Sequence, residues 1–428
     1  MPRKAAALIL ASALPVLAVR PARAVVLSED PLAEKSTELG LILRSFLFSL
    51  FGTVLEPPIN PLGDANPSAT SILDLRLYAS HKTPSWSFVI HDQLTTTLRS
   101  NGTLGPLGLG RGVAPPRWLP LRFTATDQPT LVMASTVDWG YVAYNHGGVT
   151  VTVGRQPVTF GRGKVWRPTD LVSTFALTEV DTEYKPGADA ARVDWSRGNL
   201  SITAVAATGE LESDHDLDAS LQGTTALARA TYGLSHGQVA ATGGYVRGDA
   251  MAGADGAWDF ESFDAYAEAT VTMPTDRSLA SPIAGSGDVV PRAVVGATFH
   301  HGDVTVSPEL WWNGFGTFDR DQYLAIAASP RVGVGEQISL GRANVVGSLL
   351  WQAHPLLTVT GAAIVNPRDP SGLITVGLGY SVSNDVEASI GGYVPLGRKP
   401  DASSGLPVAR SEYGSYPYFL FARLKAAI

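Results

Sequence analysis

Residues 262–272 read SFDAYAEATVT. Phe263, Ala265, Ala267, Ala269 and Val271 alternate there with Ser262, Asp264, Tyr266, Glu268, Thr270 and Thr272. A period of two sends the two sets to opposite faces of an extended strand. One face is wholly apolar and the other carries two acids. A strand of roughly 9–11 such residues is long enough to cross a bilayer at a tilt, with lipid on one side and an aqueous lumen on the other.

The pattern repeats along the chain. Leu73, Leu75, Leu77 and Ala79 alternate with Asp74, Arg76 and Tyr78. Val149, Val151 and Val153 alternate with Thr150, Thr152 and Gly154, and Ala191, Val193 and Trp195 with Arg192, Asp194 and Ser196. Further on, Val304, Val306, Leu310 and Trp312 alternate with Thr305, Ser307 and Glu309. The segments 373–382 and 385–394 behave alike. Any half-buried strand alternates, so the weight lies in repetition and in loop lengths. Connections at 146–148, 235–236, 302–303 and 383–384 are very short. Those at 99–130, 156–188, 208–223, 273–290, 313–341 and 396–415 are long and rich in Gly, Pro and charge. Transmembrane barrels pair short periplasmic turns with long outer loops.

Let the last strand, about 416–428, run down to the periplasm. Alternating backwards places almost every long loop outside. The first upward strand must then be Leu39–Phe51, and the total is about eighteen. It falls to sixteen if that segment and the weak 250–258 drop out. The expected fold is all-β, an antiparallel up-and-down transmembrane β-barrel of about 16–18 strands. Residues 25–70 either supply its first strand or form a short N-terminal periplasmic segment. Aromatics near strand ends (Trp86, Trp139, Tyr141, Tyr144, Trp258, Trp311, Trp312, Tyr380, Tyr393, Tyr416 and Tyr418) suit the membrane interface.

The N-terminus carries Arg3 and Lys4, an apolar run from Ala5 to Val19, and Ala22-Arg23-Ala24. This reads as a signal peptide over 1–24, cleaved before Val25, leaving the barrel in 25–428. Cleavage removes four bases and no acid, moving the formal charge from −7 to −11. A chain so acidic is a poor nucleic-acid partner. There is no cysteine, which excludes disulfides, thiol nucleophiles and Cys-ligated metals. Charged residues make up 17% and hydrophobic ones 45%: too little charge for an ordinary soluble protein, too little apolarity for a helical membrane protein.

The stretch Val153-Gly154-Arg155-Gln156, followed by Gly161-Arg162-Gly163-Lys164-Val165-Trp166-Arg167-Pro168-Thr169-Asp170-Leu171 and then Asp189-Ala190-Ala191-Arg192, is the most distinctive in the chain. It resembles a segment of Gram-negative porin-like outer-membrane barrels, a loose group that includes alginate-export-like proteins and members of unassigned function. Ser411-Glu412-Tyr413-Gly414-Ser415-Tyr416-Pro417, leading into the last strand, is similar too. The resemblance covers roughly residue 150 to the end and implies an outer-membrane barrel more firmly than any substrate. The last strand departs from the group in ending on Ile428 rather than an aromatic residue.

Arg155, Arg162, Lys164 and Arg167 gather in one loop and are candidates for an anion-attracting pore constriction. The alternative is that they meet water or lipopolysaccharide phosphates. Arg155 shares the parity of lipid-facing Val151 and Val153, so it must sit at the rim or follow a bulge at Gly154. Lumen-facing candidates by parity are Arg76, Arg192, Asp194, Asp264, Glu268, Glu309, Arg342, Arg423 and Lys425, together with Asp74, Asn344, Asp385 and Glu387. Gly161-Arg162-Gly163-Lys164 fails as a phosphate loop, because Val165 follows the lysine. Asp214-His215-Asp216 and His300-His301 are weak metal or catalytic candidates. No catalytic constellation, metal site or cofactor is expected.

The expected function is a porin-like channel passing small hydrophilic solutes passively. The alternatives are a non-conducting structural or adhesive barrel, an outer-membrane enzyme and a soluble periplasmic β-sandwich. Expected partners are membrane lipid, lipopolysaccharide, the solutes and the barrel-assembly machinery; a homo-oligomer is left open.

Overall fold

The structure is a computed structural model that describes residues 25–30, 34–51, 68–100, 115–175, 183–209, 221–401 and 408–427. The signal peptide expected over 1–24 and the run Asp214-His215-Asp216 lie outside the described residues.

The strands are β1 (Val25–Asp30), β2 (Lys35–Phe51), β3 (Ser68–Lys82), β4 (Trp86–Arg99), β5 (Arg122–Gln128), β6 (Leu131–His146) and β7 (Val149–Gln156). After a long connection come β8 (Ala188–Arg197), β9 (Leu200–Ala207), β10 (Thr225–Leu234), β11 (Gly237–Val246), β12 (Asp249–Phe260) and β13 (Phe263–Met273). The rest are β14 (Val290–His301), β15 (Val304–Asn313), β16 (Ala343–His354), β17 (Leu357–Asn366), β18 (Ser371–Ser381), β19 (Val386–Leu396) and β20 (Tyr418–Ala427). Each pairs antiparallel with its neighbour in the ring. The sheet closes where β2 pairs with both β3 and β20, through Arg44↔Asp74 and Arg44↔Lys425. β1 and β5 pair on one side only, so the closed wall has 18 strands. Closure pairs each of the 18 wall strands on both sides, and only the short β1 and β5 keep an unpaired edge among the described strands.

The outer face is apolar and exposed. Val153, Leu310, Val376 and Ile390 are each more than half exposed, at 57%, 60%, 56% and 57%. These are the residues that the period of two assigns to lipid. A soluble sandwich would bury them, because a continuous apolar belt of this size is not stable in water. Trp86 and Tyr144 lie 4.6 Å apart, and Phe263 lies 4.8 Å from Phe260 and 5.4 Å from Phe299. They form a ring cluster at the short-turn end, as an interfacial girdle requires. Trp139, Trp311 and Tyr393 do not join it. They point inward, against His91, Trp166 and Phe419 respectively, because their positions have the inner parity.

Two irregularities shape the wall. Between β4 and β6 the register shifts at His91/Asp92, leaving Asp138 without a partner between Val137 and Trp139. This bulge turns two successive side chains, Asp138 and Trp139, to the inside. Near it, β7 ends at Gln156 while β6 continues upward. β5 and the chain before it fill the gap: Leu121 O accepts from Val137 N, and Pro116 O from Asp189 N, both at 3.0 Å.

Candidate functional site: an inward loop across the barrel

After Gln156 the chain does not rise out of the barrel. It turns into it. Val158, Phe160, Leu171 and Val172 are buried on inward-facing Ala190, Val205, Leu227 and Met251 of β8, β9, β10 and β12. Strict alternation makes these inner positions polar in a water-filled barrel. Here they are apolar because they form the bed of the loop.

Two wall carboxylates hold the middle of the loop. Glu268 of β13 is 1% exposed. Its Oε2 accepts from Arg162 N at 2.7 Å and Gly163 N at 3.3 Å, and its Oε1 from Thr169 N at 2.7 Å and Thr169 Oγ1 at 2.6 Å. Glu309 of β15 accepts from Lys164 N, from Val165 N at 3.1 Å and from the Tyr266 hydroxyl at 2.8 Å. A buried carboxylate is tolerable only when so satisfied. The glycines permit the approach. Gly161 has φ +87°, and a Cβ on it would stand 2.7 Å from Glu268. On Gly163 a Cβ would meet Trp166 O at 1.7 Å. Trp166 is fully buried among Val294, Trp311, Val346 and Leu373.

The loop cations are held differently. Arg162 Nε lies 3.2 Å from Asp255, which also takes Arg229 at 2.5 Å. Lys164 is exposed, its Nζ 6.0 Å from the Tyr266 ring centre. Arg167 Nε donates to Gly163 O at 2.7 Å. Asp170 receives Lys185 Nζ at 2.6 Å, and burial raises its carboxyl above the usual range. The returning limb then meets the opposite wall. Glu183 pairs with Lys425 and, at 3.3 Å, with Arg423. The Tyr184 ring lies 4.4 Å from the Arg76 guanidinium and 5.2 Å from that of Arg44. Contacts to β12, β13 and β15 on one side and to β2, β3 and β20 on the other mean that the loop spans the interior.

Arg155 is not brought together with Arg162, Lys164 and Arg167. Its side chain is 1% exposed and lies in the wall, where its Nε reaches Asp189 at 2.7 Å and its Nη2 reaches Leu119 O at 2.6 Å. Gly154 before it has φ +122°. Arg76 pairs with Asp138 at 2.9 Å, and Arg192 with Asp194 at 2.7 Å. Asp264 sits near the short-turn end, 3.5 Å from His300. Arg342 precedes β16, donates to Gly316 O and packs on Phe318, so it belongs to the mouth rather than the wall. Parity missed Asp138, which a bulge reorients. It also passed over Arg44, Asp255 and Arg229, whose strands read weakly, and Tyr184, which lies in no strand.

At the long-loop end Arg331 binds Asp249 at 2.6 Å and Glu336 at 2.9 Å. Glu412 accepts from Leu340 N at 2.6 Å and Asn366 Nδ2 at 2.7 Å, while Asp369 takes the Tyr323 hydroxyl at 2.9 Å. These bonds tie the connection 314–342 to the approach of β20. Burial pushes Glu412 up to about 7.

No protein-family profile and no curated protein matches this chain. Solved structures do. OpdQ of Pseudomonas aeruginosa aligns over 92% of this chain and 98% of its own, with TM-score 0.52 and 8% identity. OccK11 (OpdR) of the same organism aligns over 92% and 96%, with TM-score 0.50 and 8% identity. A mutant of the Rh. blastica porin covers 92% and 100% at TM-score 0.42 and 11% identity. What is shared is the fold: a closed, antiparallel porin-type barrel.

Proposed function

We propose that this chain is an outer-membrane porin-type channel through which small hydrophilic solutes diffuse passively, with the inward loop as its constriction. The observation that carries this reading is the loop's course, from Glu268 and Glu309 on one wall to Arg423 and Lys425 on the other. A passive channel needs only a polar path and a narrowing. Both are supported by inward charges of either sign beneath an apolar outer belt. Arg162 pairs with Asp255 and Arg167 lies 4.0 Å from Asp170, so Lys164, which is exposed, is the loop cation that acts most on passing ions. The apolar belt fits membrane lipid, and the mouth fits lipopolysaccharide. Export by the 1–24 signal peptide and insertion by barrel-assembly machinery complete the proposal.

The test is single-channel conductance of the detergent-folded protein in a planar bilayer under a salt gradient. Discrete steps are expected, with an anion preference that falls on neutralising Lys164 and falls less on neutralising Arg162 or Arg167. A folded, heat-modifiable barrel that never conducts would overturn the channel and favour a structural or adhesive barrel.

A further inference from the structure

A run of aromatic rings lines the inner wall where the barrel closes. Phe46 and Phe48 of β2 and Phe419 and Phe421 of β20 share the parity of Arg44, Arg423 and Lys425, so they face the interior. Phe46 stacks on Phe48 at 5.8 Å and Phe48 on Phe419 at 5.6 Å, while Phe421 lies 6.0 Å from Phe419. Lower down, the Arg44 guanidinium bridges to a second group of rings. It lies 6.0 Å from the Phe46 ring centre and 5.2 Å from that of Tyr184, which is 5.8 Å from Trp139. The rings thus descend from the upper half of β2 and β20 to the returning limb of the inward loop.

Packing of the loop does not account for them. Among the described residues, Phe46, Phe48 and Phe421 belong to neither of the two apolar clusters that seat the loop, and Phe419 joins one of them only at its margin. Phe48, Phe419 and Phe421 are half-buried. Their open part faces the lumen, because the alternate residues Leu47, Ser49, Leu420 and Ala422 take the lipid side. Contiguous apolar surface left toward water is unfavourable by itself and marks a place where something binds.

Charges of both signs border the rings. Arg44 pairs with Asp74, Arg423 with Glu183, and Lys425 with Glu183 while facing Glu387 across the strand pair. A solute with a net charge would meet its own sign there. An uncharged solute rich in hydroxyls can donate to the carboxylates and accept from the cations. An apolar face for the rings and a rim of hydroxyls for the charges are together the surface of a sugar.

We propose that Phe46, Phe48, Phe419 and Phe421, continued by Tyr184 and Trp139, form a binding track for a neutral linear oligosaccharide, with its sugar faces on the rings and its hydroxyls on the flanking charges. The inference rests on the interior being open to solutes, as the channel reading has it. A linear chain touches several rings at once, so every contact after the first is intramolecular and raises affinity above that of a single sugar.

The experiment is calorimetric titration of the full chain, folded in an alkyl amine oxide detergent that has no sugar headgroup. The probes are maltotetraose and cellotetraose, with glucose and tetragalacturonate for comparison. At least one neutral tetramer is expected to bind, about tenfold or more tighter than glucose, and tetragalacturonate is expected to bind more weakly. Phe421→Ala should weaken tetramer binding about tenfold, as loss of an aromatic anchor does, and Phe421→Tyr should restore it. Heat-modifiability on gels verifies folding, and Phe48→Ala is the alternative where Phe421→Ala does not fold. Absence of binding by both neutral tetramers, glucose or tetragalacturonate binding as tightly, or equal affinity in the folded alanine variant would each overturn the track. Tetramer binding in a barrel that never conducts would leave the track standing and remove only the channel, and conduction without binding would do the reverse.

Discussion

Trp166 stacks on Trp311 with ring centres 5.8 Å apart and an interplanar angle of 5°. One ring belongs to the inward loop and the other to β15, so this aromatic contact joins the candidate constriction to the wall. Trp166 is fully buried, and its loss removes one of the largest apolar contacts the loop makes.

Trp166→Ala should therefore free the loop without opening the barrel. Truncating a buried Trp typically costs ~3–5 kcal/mol. That cost should fall on loop docking, because the wall's hydrogen-bond ladder does not depend on this ring. Larger and noisier conductance steps with unchanged heat-modifiability are expected. An unfolded barrel would place Trp166 in the global core instead.

Glu268→Gln tests the carboxylate clamp. An amide keeps one acceptor oxygen and turns a donor toward loop N–H groups. An unsatisfied buried group costs about 1–3 kcal/mol. The loop should become cleavable near 161–169 by added protease in folded protein, which the wild type resists. Equal resistance in both would show that the clamp is not needed to hold the loop.

Arg155→Met should separate wall from pore. Arg155 and Asp189 form a buried pair, and breaking one by removing a single partner costs roughly 3–5 kcal/mol. A lower unfolding temperature is expected, with no change in reversal potential under a salt gradient. A shift in ion selectivity would return Arg155 to the constriction.

Glu412 makes the mouth sensitive to pH. Its acid is raised by burial from 4.5 to about 7, so the folded state holds the proton more tightly than the unfolded state. The stabilisation is complete below about pH 4.5 and is lost as pH rises through about 7, up to about 3 kcal/mol in all. Protease nicking around 398–417 should be faster at pH 8 than at pH 5. Glu412→Gln carries no charge at either pH and should flatten that difference. The same steep dependence in the variant would assign it to another group.

The alternation at 262–272, repeated to Val386–Leu396, is a local property with a period of two, and it was legible without any tertiary information. So were the strand order, the long and short connections and the inward parity of Glu268, Glu309, Arg423 and Lys425. Leu39–Phe51 could be read only by counting, because its near-continuous apolar run hides the alternation; in the structure Lys35–Phe51 closes the ring. Aromatics at inward positions were misplaced for the opposite reason. Trp311 has the composition of an interfacial residue, and nothing near it in the chain reveals that Trp166 will cover it.

By itself, then, the sequence determined the barrel, since backbone pleating alone sends alternate side chains to lipid or lumen. Only the tertiary structure decided what fills the interior. The contacts that set the loop's course join residues far apart in the chain, Arg162 to Glu268, Lys164 to Glu309 and Glu183 to Lys425. No short-range pattern encodes such pairs. The same parity that marked Arg76 as inward could not foresee Asp138 as its partner, because a one-residue bulge reverses every parity beyond it.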